Sequence, residues 1–326
     1  MATDEPPTKK KKTVGSVSPS LLIDEKKRLL VENKFLVKMP EDFYQFWTFL
    51  HELNSEDPNN ILTPFDLSLG GPYDVLLGKS SANDDDYLLH HRFYYDMPEF
   101  QTVLLSRKEG SQYHIGYYRD SPSEDPVFLA SSDSSQGCKL TVLSDNIFAA
   151  VLSYLQGSEY KSKPKGKQLI AKLEKFTAEH GYECGKRTKK IRAREKKIVS
   201  KGFHGAGIVV PVDDNEVGWR EVPRSIGELK KIFMSIATCD KNKDASSDEL
   251  QELITYVQFA NDECDYGQGL ELGSDLFCYG DDSLEGYVKA LMPMAYSLLG
   301  YSAFERIILA HLNNRSRNTN SYLSHS

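Results

Sequence analysis

The chain has 326 residues, 40% of them hydrophobic, and a net charge of −7, enough to bury a sizeable core and a length that suits one large or two ordinary domains, of which two are expected. Its five cysteines (Cys138, Cys184, Cys239, Cys264, Cys278) are odd in number and form no CxxC pair, which excludes a disulfide framework or zinc site as the organising principle and suits a reducing compartment. No stretch approaches the ~18 apolar residues of a membrane span, and MATDEPPTKKKKTVGSVSPS lacks the apolar core of a signal peptide, so a soluble, intracellular protein with no membrane association is expected.

Residues 1–33 are rich in Lys, Ser and Pro, the composition of a disordered basic tail. Within them Lys9, Lys10, Lys11 and Lys12 form a run of the kind that nuclear import receptors read. Folded sequence begins near Leu36. Pro40, followed by Glu41 and Asp42, opens a helix across PEDFYQFWTFLHEL, in which Phe43, Phe46, Trp47 and Leu50 recur at helical spacing. PYDVLLG, EFQTVLLS, YHIGYYRD and PVFLAS carry β-branched and aromatic residues between turn-forming clusters and predict an antiparallel sheet. SDNIFAAVLSYL predicts a helix capped by Ser144 or Asp145. The polar stretch QGSEYKSKPKGK (156–167) then marks the boundary between an N-terminal domain, 34–157, and a C-terminal one, 158–326.

The second part opens with a helix over QLIAKLEKFTAEHG, ending at or just before Gly181. KRTKKIRAREKKIVSK (186–201, with Lys186 and Lys201 at its ends) has nine Lys or Arg and one acid. With no interleaved aromatics to stack bases, it reads as a solvated face that touches the phosphates of a nucleosome or another polyanion rather than reading bases. GIVVPVD reads as a buried strand. Helices are expected around 226–237, 248–264, 283–299 and 303–312, with Pro293 kinking or interrupting the third.

Three motif-like stretches fail on inspection. LLGKSS ends like a phosphate-binding loop, but Tyr73 stands where the first glycine belongs, so it reads as a turn. HGAG resembles an oxyanion-hole loop without a GxSxG nucleophile elbow anywhere in the chain, so its glycines read as packing residues. DKNKDASSDELQ (240–251) offers Asp240, Asn242, Asp244 and Asp248 at calcium-loop positions, yet has Ala245 for the turn glycine and Gln251 for the bidentate glutamate; Ser246 with Glu249 reads instead as a capping box.

Charge is distributed unevenly. Residues 244–288 contain twelve acids and no Lys, Arg or His, so the rest of the chain is net +5. This suggests an acidic face for a basic partner, or simply solvated helix surfaces. Within that window Leu250, Leu253, Ile254 and Val257 form a helical stripe whose continuation puts Asp262, Glu263 and Asp265 in the last turn, with Gly267 as its C-terminal cap. Carboxylates there oppose the helix dipole and one another, which favours their protonation and hence basicity, as a general base requires. No nucleophile, cofactor loop or metal-ligand set accompanies them, and an oxygen-ligated cation or a structural hydrogen-bond cluster would use the same residues.

PEDFYQFW, RFYYDMPEFQT, GYYRDSP, DNIFAAV, FHGAGIVVPVD, VGWRE, VQFANDECDYGQGLELG and DLFCYG follow in this order between residues 35 and 315. Together they resemble the histone PARylation factor family, accessory proteins of DNA-damage-activated poly(ADP-ribose) polymerases. The resemblance implies an α+β (mixed α/β) fold of two closely packed domains, each an antiparallel-rich sheet with helices, the functional surface lying on the C-terminal one. It further implies docking on the polymerase catalytic domain and a joint active site to which Glu263 brings a general base for a substrate serine on histones. Asp262 and Arg220 match partner contacts of the family. Trp219 stands where the family commonly has tyrosine, and Asp265 and Phe259 flank the site as shaping or contact residues. No cofactor of its own is implied, NAD belonging to the polymerase; a monomer in the nucleus, recruited to chromatin at DNA breaks, is expected. The competing reading is a histone- or nucleosome-binding scaffold without a catalytic contribution.

Overall fold

The computed structural model describes residues 23–318 and 321–325, so the Lys9, Lys10, Lys11 and Lys12 run lies outside the described residues. The first element is a helix, α1 (Glu25–Phe35), started by Asp24, whose carboxylate accepts a hydrogen bond from the Lys27 amide. The tail expected to reach residue 33 is therefore helical from Glu25 onward. Only Val31 and Phe35 of this helix are buried, an anchor too sparse to show through a Lys-rich composition.

α2 (Glu41–Leu53) follows Pro40 as its composition dictates, burying Phe43, Phe46 and Leu50. β1 (Leu67–Leu69) comes next, and PYDVLLG, read above as a strand, contains α3 (Pro72–Leu76). Gly71 at φ 58°, where a Cβ would stand 2.2 Å from the Thr102 carbonyl oxygen, turns the chain, and Pro72 is preset for a helix's first position. β2 (Lys79–Ser80) occupies LLGKSS, followed by α4 (Asp85–Leu89). β3 (Phe100–Ser106), β4 (Tyr113–Tyr118), β5 (Phe128–Asp133) and β6 (Leu140–Ser144) complete an antiparallel sheet of order β1-β3-β4-β5-β6. α5 (Ile147–Gln156) is capped by Asn146, which accepts from the Ala149 amide; Ser144 ends a strand and Asp145 lies outside the cap geometry.

The C-terminal half is built otherwise than expected. α6 (Pro164–His180) ends at left-handed Gly181 and α7 (Lys189–Glu195) occupies the basic run. GIVVPVD forms no strand beyond a single bridge between Ser200 and Ile208: Pro211 lacks a donor, and no neighbouring segment offers a ladder. α8 (Ile226–Ala237), α9 (Lys243–Asp262), α10 (Gly267–Tyr279), α11 (Glu285–Leu298) and α12 (Ser302–Asn314) follow, and β7 (Ser324–His325) returns to pair with β2. Among the described residues this half has no sheet of its own, which corrects the expectation of one in each domain.

The capping-box expectation also fails here. α9 starts at Lys243, so Ser246 is buried inside the helix and Glu249 bonds Arg224 rather than closing a capping box; Asp244 and Asp248 stand on helix turns instead of a calcium loop. α11 runs through Pro293 without interruption, Lys289, whose carbonyl the proline leaves unbonded, being exposed. α10 shows no apolar stripe because all of it but its last residue is buried, and three glycines lower its helix propensity. Those glycines let neighbours close in: a Cβ at Gly273 would lie 2.9 Å from Met292 Cγ of α11, and one at Gly269 3.1 Å from Val257 Cγ1 of α9. The apolar core is continuous from Val31 to Leu323, and the Tyr296 hydroxyl of α11 donates to Glu99 beside the sheet at 2.8 Å. No helix among the described residues is long and apolar enough to cross a membrane.

Candidate functional site

The six residues singled out around the acidic turn come together at the junction of α9 and α10. α9 closes through the Glu263 amide on the Phe259 carbonyl (3.1 Å) and the Asp265 amide on the Ala260 carbonyl (2.8 Å), with Cys264 at φ 67°. The left-handed closing residue is thus Cys264, whereas Gly267, expected in that role, begins the next helix. Phe259 is 55% exposed, an aromatic ring in water rather than in the core. Asp262 is exposed, and its carboxylate makes no hydrogen bond or ion pair among the described residues.

The basic partner absent from the local sequence arrives from 43 residues upstream. Arg220 Nη2 meets Glu263 Oε2 in a short contact and lies 2.9 Å from Asp265 Oδ2. Bonding to Glu263 raises the guanidinium above its ordinary value. Repulsion among the three acids, inferred from their spacing, is therefore relieved by a cation that bridges two of them.

The segment holding Arg220 is itself clamped. Gly218 donates its amide to Asp265 Oδ1 (2.9 Å) and accepts from the Gly267 amide (2.9 Å). Its φ of 135°, with a Cβ position 2.1 Å from the Pro211 carbonyl oxygen, admits only glycine. Trp219 Nε1 donates to Glu271 Oε2 (2.9 Å) on α10, so the indole supplies a hydrogen-bond donor as well as a ring. Gln268 Nε2 donates to the Glu221 carbonyl (2.9 Å). Asp265 is buried and serves the clamp; Glu263 keeps 60% of its side chain exposed and faces outward.

Glu271, Gln268 and Gly218 escaped the sequence reading. Nothing local marks them, because each acts on a segment about fifty residues distant. Burial raises the Glu271 carboxyl above its ordinary value, while Ser200 and Trp219 oppose that by donating to it. Asp265, Glu271 and Asp275 are all buried, so the twelve acids of the window are not one solvated face. In the basic run, Arg194 is likewise interior: it forks onto Asp120 and donates to the Ala206 and Gly207 carbonyls, while Lys186, Lys189, Arg192, Lys196, Lys197 and Lys201 remain exposed. In the HGAG stretch a Cβ on Gly207 would stand 2.6 Å from Ile198 Cδ1, in keeping with a packing role.

A family model described as histone PARylation factor 1 matches residues 25–315. Among curated proteins, histone PARylation factor 1 of Mus musculus is 44% identical over 304 residues, covering 88% of this chain and 86% of its own. Its counterpart in Bos taurus is 44% identical over 299 residues with the same coverage, and that of Danio rerio 43% over 318 residues, covering 94% and 91%. With the match spanning nearly all of the described residues, the junction of α9 and α10 included, the chain belongs to the histone PARylation factor 1 family.

Proposed function

We propose that this protein docks on the catalytic domain of a poly(ADP-ribose) polymerase and completes its active site for serine, with Glu263 as general base. It is not an enzyme on its own. The observation that carries the reading is an outward-facing carboxylate, Glu263, held by an arginine whose own backbone is pinned from two sides. A serine hydroxyl is a poor nucleophile until a base takes its proton. As serine Oγ bonds to the ribose carbon of NAD and the bond to nicotinamide breaks, the proton passes to the Glu263 carboxylate. NAD is held by the polymerase, and this chain needs no cofactor of its own. Phe259 and Asp262 offer the polymerase an exposed ring and a free carboxylate next to that base, and Trp219, Arg220 and Asp265 hold the base in register.

The wider reading follows from the family. The protein acts in the nucleus in the DNA damage response, histones are its substrates, and it works as a monomer brought to chromatin at breaks. Lys9, Lys10, Lys11 and Lys12 serve import, and the exposed lysines between Lys186 and Lys201 contact nucleosomal or other polyanions. A division into 34–157 and 158–326 is supported by the placing of the five-stranded sheet wholly before residue 157 and of α8 to α12 after it.

The test is serine ADP-ribosylation of a histone peptide by DNA-activated polymerase with NAD, comparing no addition, this protein and its Glu263→Gln variant. Serine modification is expected only with the unaltered protein, with polymerase binding retained by the variant. Equal modification with both proteins overturns the composite site and leaves the junction as the binding surface of a histone scaffold.

A further inference from the structure

Residues 321–325 fold back onto the N-terminal half, where an imidazole, a buried leucine and a short strand pairing hold them. The Tyr322 and Leu323 amides both donate to His90 Nδ1, at 3.1 and 3.3 Å. Leu323 is buried, and β7 pairs with β2 through Ser324 with Ser80 and His325 with Lys79. The other ring nitrogen, His90 Nε2, lies 2.7 Å from Asp74 Oδ2.

From this geometry we propose that the C-terminal strand is a latch, docked while His90 is neutral and released when it is protonated. Two amide donors on Nδ1 require its lone pair, which fixes the tautomer with hydrogen on Nε2, donated to Asp74. Protonation puts a hydrogen on Nδ1, facing two N–H groups. Both amides then lose their acceptor inside a buried contact. The charged and titratable groups around the ring are Asp74 from α3, Lys79 from β2 (Nζ 2.7 Å from Asp74 Oδ1) and His91 (Nε2 3.3 Å from Asp74 Oδ2). On the strand itself, His325 pairs with Lys79 through the backbone, and its exposed imidazole makes no ion pair with these groups. Asp74, His90 and His91 bring their donor atoms within 4.8 Å of one another, yet Lys79 occupies one Asp74 oxygen and both His90 nitrogens are engaged, so the cluster is a clasp and not a cation site.

Burial, followed by His91 and Lys79, holds His90 below its ordinary value of 6.5, against the pull of Asp74. With Nδ1 capped by two amides, the docked state disfavours the protonated ring, so docking weakens as the pH falls and the ring takes up its proton. Release uncovers the edge of β2 and the apolar seat of Leu323.

The test is hydrogen exchange of the Tyr322 and Leu323 amides in the full chain between pH 7.5 and 5.5. Each rate is divided by that of the same residue in a free peptide of sequence 316–326. Protection is expected to fall about tenfold or more while amides of β4 keep theirs, as two amides lose their shared acceptor. His90→Gln, whose carbonyl accepts without titrating, is expected to stay protected at both pH values, and His91→Gln to behave as the unaltered chain. Unchanged protection in the unaltered chain, or the same loss in His90→Gln, overturns the latch. Should His90→Gln not fold, ring nitrogen shifts of His90 in the unaltered chain decide: protonation of the ring without loss of amide protection also overturns it.

Discussion

At the scale of single residues, Arg220 replaces repulsion among the acids with a bridge. Arg220→Gln leaves Glu263 and Asp265 without their shared cation, so the Glu263 carboxylate loses its bearing; serine modification in the polymerase assay is expected to drop at least tenfold, misplacement of a catalytic group by ~1 Å costing up to ~100-fold. Since Arg220 is close to half exposed, the variant should melt near the parent, which separates loss of positioning from loss of fold. Trp219→Phe keeps the ring and removes the donor to buried Glu271; a stability loss of ~1–3 kcal/mol is expected, read from the denaturant midpoint. Asp262 and Glu263 were legible because their oddity is local, acids at the wrong end of a helix. Arg220 was legible only as a family match, and Glu271 not at all, because a hydrogen bond between residues 52 apart has no signature in either neighbourhood.

At the scale of elements, the turn between α9 and α10 sets where the Glu263 carboxylate points. A Cβ on Gly267 would stand 2.8 Å from Val210 Cγ2 and 3.0 Å from Trp219 Cδ1, so Gly267→Ala pushes the 218–220 segment off the turn without touching Glu263. Overpacking of this kind costs ~1–3 kcal/mol, and serine modification should fall along with stability, whereas Gly273→Ala, which presses on Met292, should cost stability alone. Both variants are compared by melting and by the polymerase assay. A helix with one wet face such as α8, expected around 226–237, was found where its composition placed it. α10 was not foreseen: a helix buried all round has no periodicity to detect, and its glycines argue against the state that packing imposes. PYDVLLG misled for the opposite reason, being apolar enough for a strand and too short for its proline to outweigh that.

For the molecule as a whole, the buried titratable groups set the pH range of the fold. Burial pushes Asp42 up to about 6 and Glu99 and Asp275 up to about 7, so the native state holds protons there that the unfolded chain has lost, and stability falls as pH rises through those values. Burial pulls His204 down to about 3 and His311 well below 6.5, so the unfolded chain takes up protons that the native state refuses, and stability falls as pH drops below 6.5. The two tendencies oppose each other between the unfolded values of 3.8 and 6.5. A maximum of the urea midpoint is expected between them, with lower values at pH 3 and pH 8. Asp275 accepts from the Phe203 amide at 2.7 Å, and Asp275→Asn preserves that acceptor without ionising. The variant should be close to the parent only below pH 3.8, draw ahead as the pH rises toward 7, and be more stable by ~2–4 kcal/mol at pH 8. Arg315, between the rings of Tyr94 and Phe277 at 3.9 and 3.8 Å, ties α12 to both halves, and one core runs through them; a single unfolding transition is expected, seen as coincident fluorescence and far-ultraviolet dichroism curves.

What the amino-acid order determined alone was whatever depends on near neighbours: the aromatic stripe of α2, the strands β3 to β5, the amphipathic helices, and the crowding of acids at the end of α9. Tertiary structure decided the rest. It chose which acids are wet and which buried, set Cys264 rather than Gly267 in the left-handed turn, and brought Arg220 and Trp219 to the carboxylates. Patterning reports how a residue relates to the core, whereas the partner of a charge is chosen by where distant segments are packed.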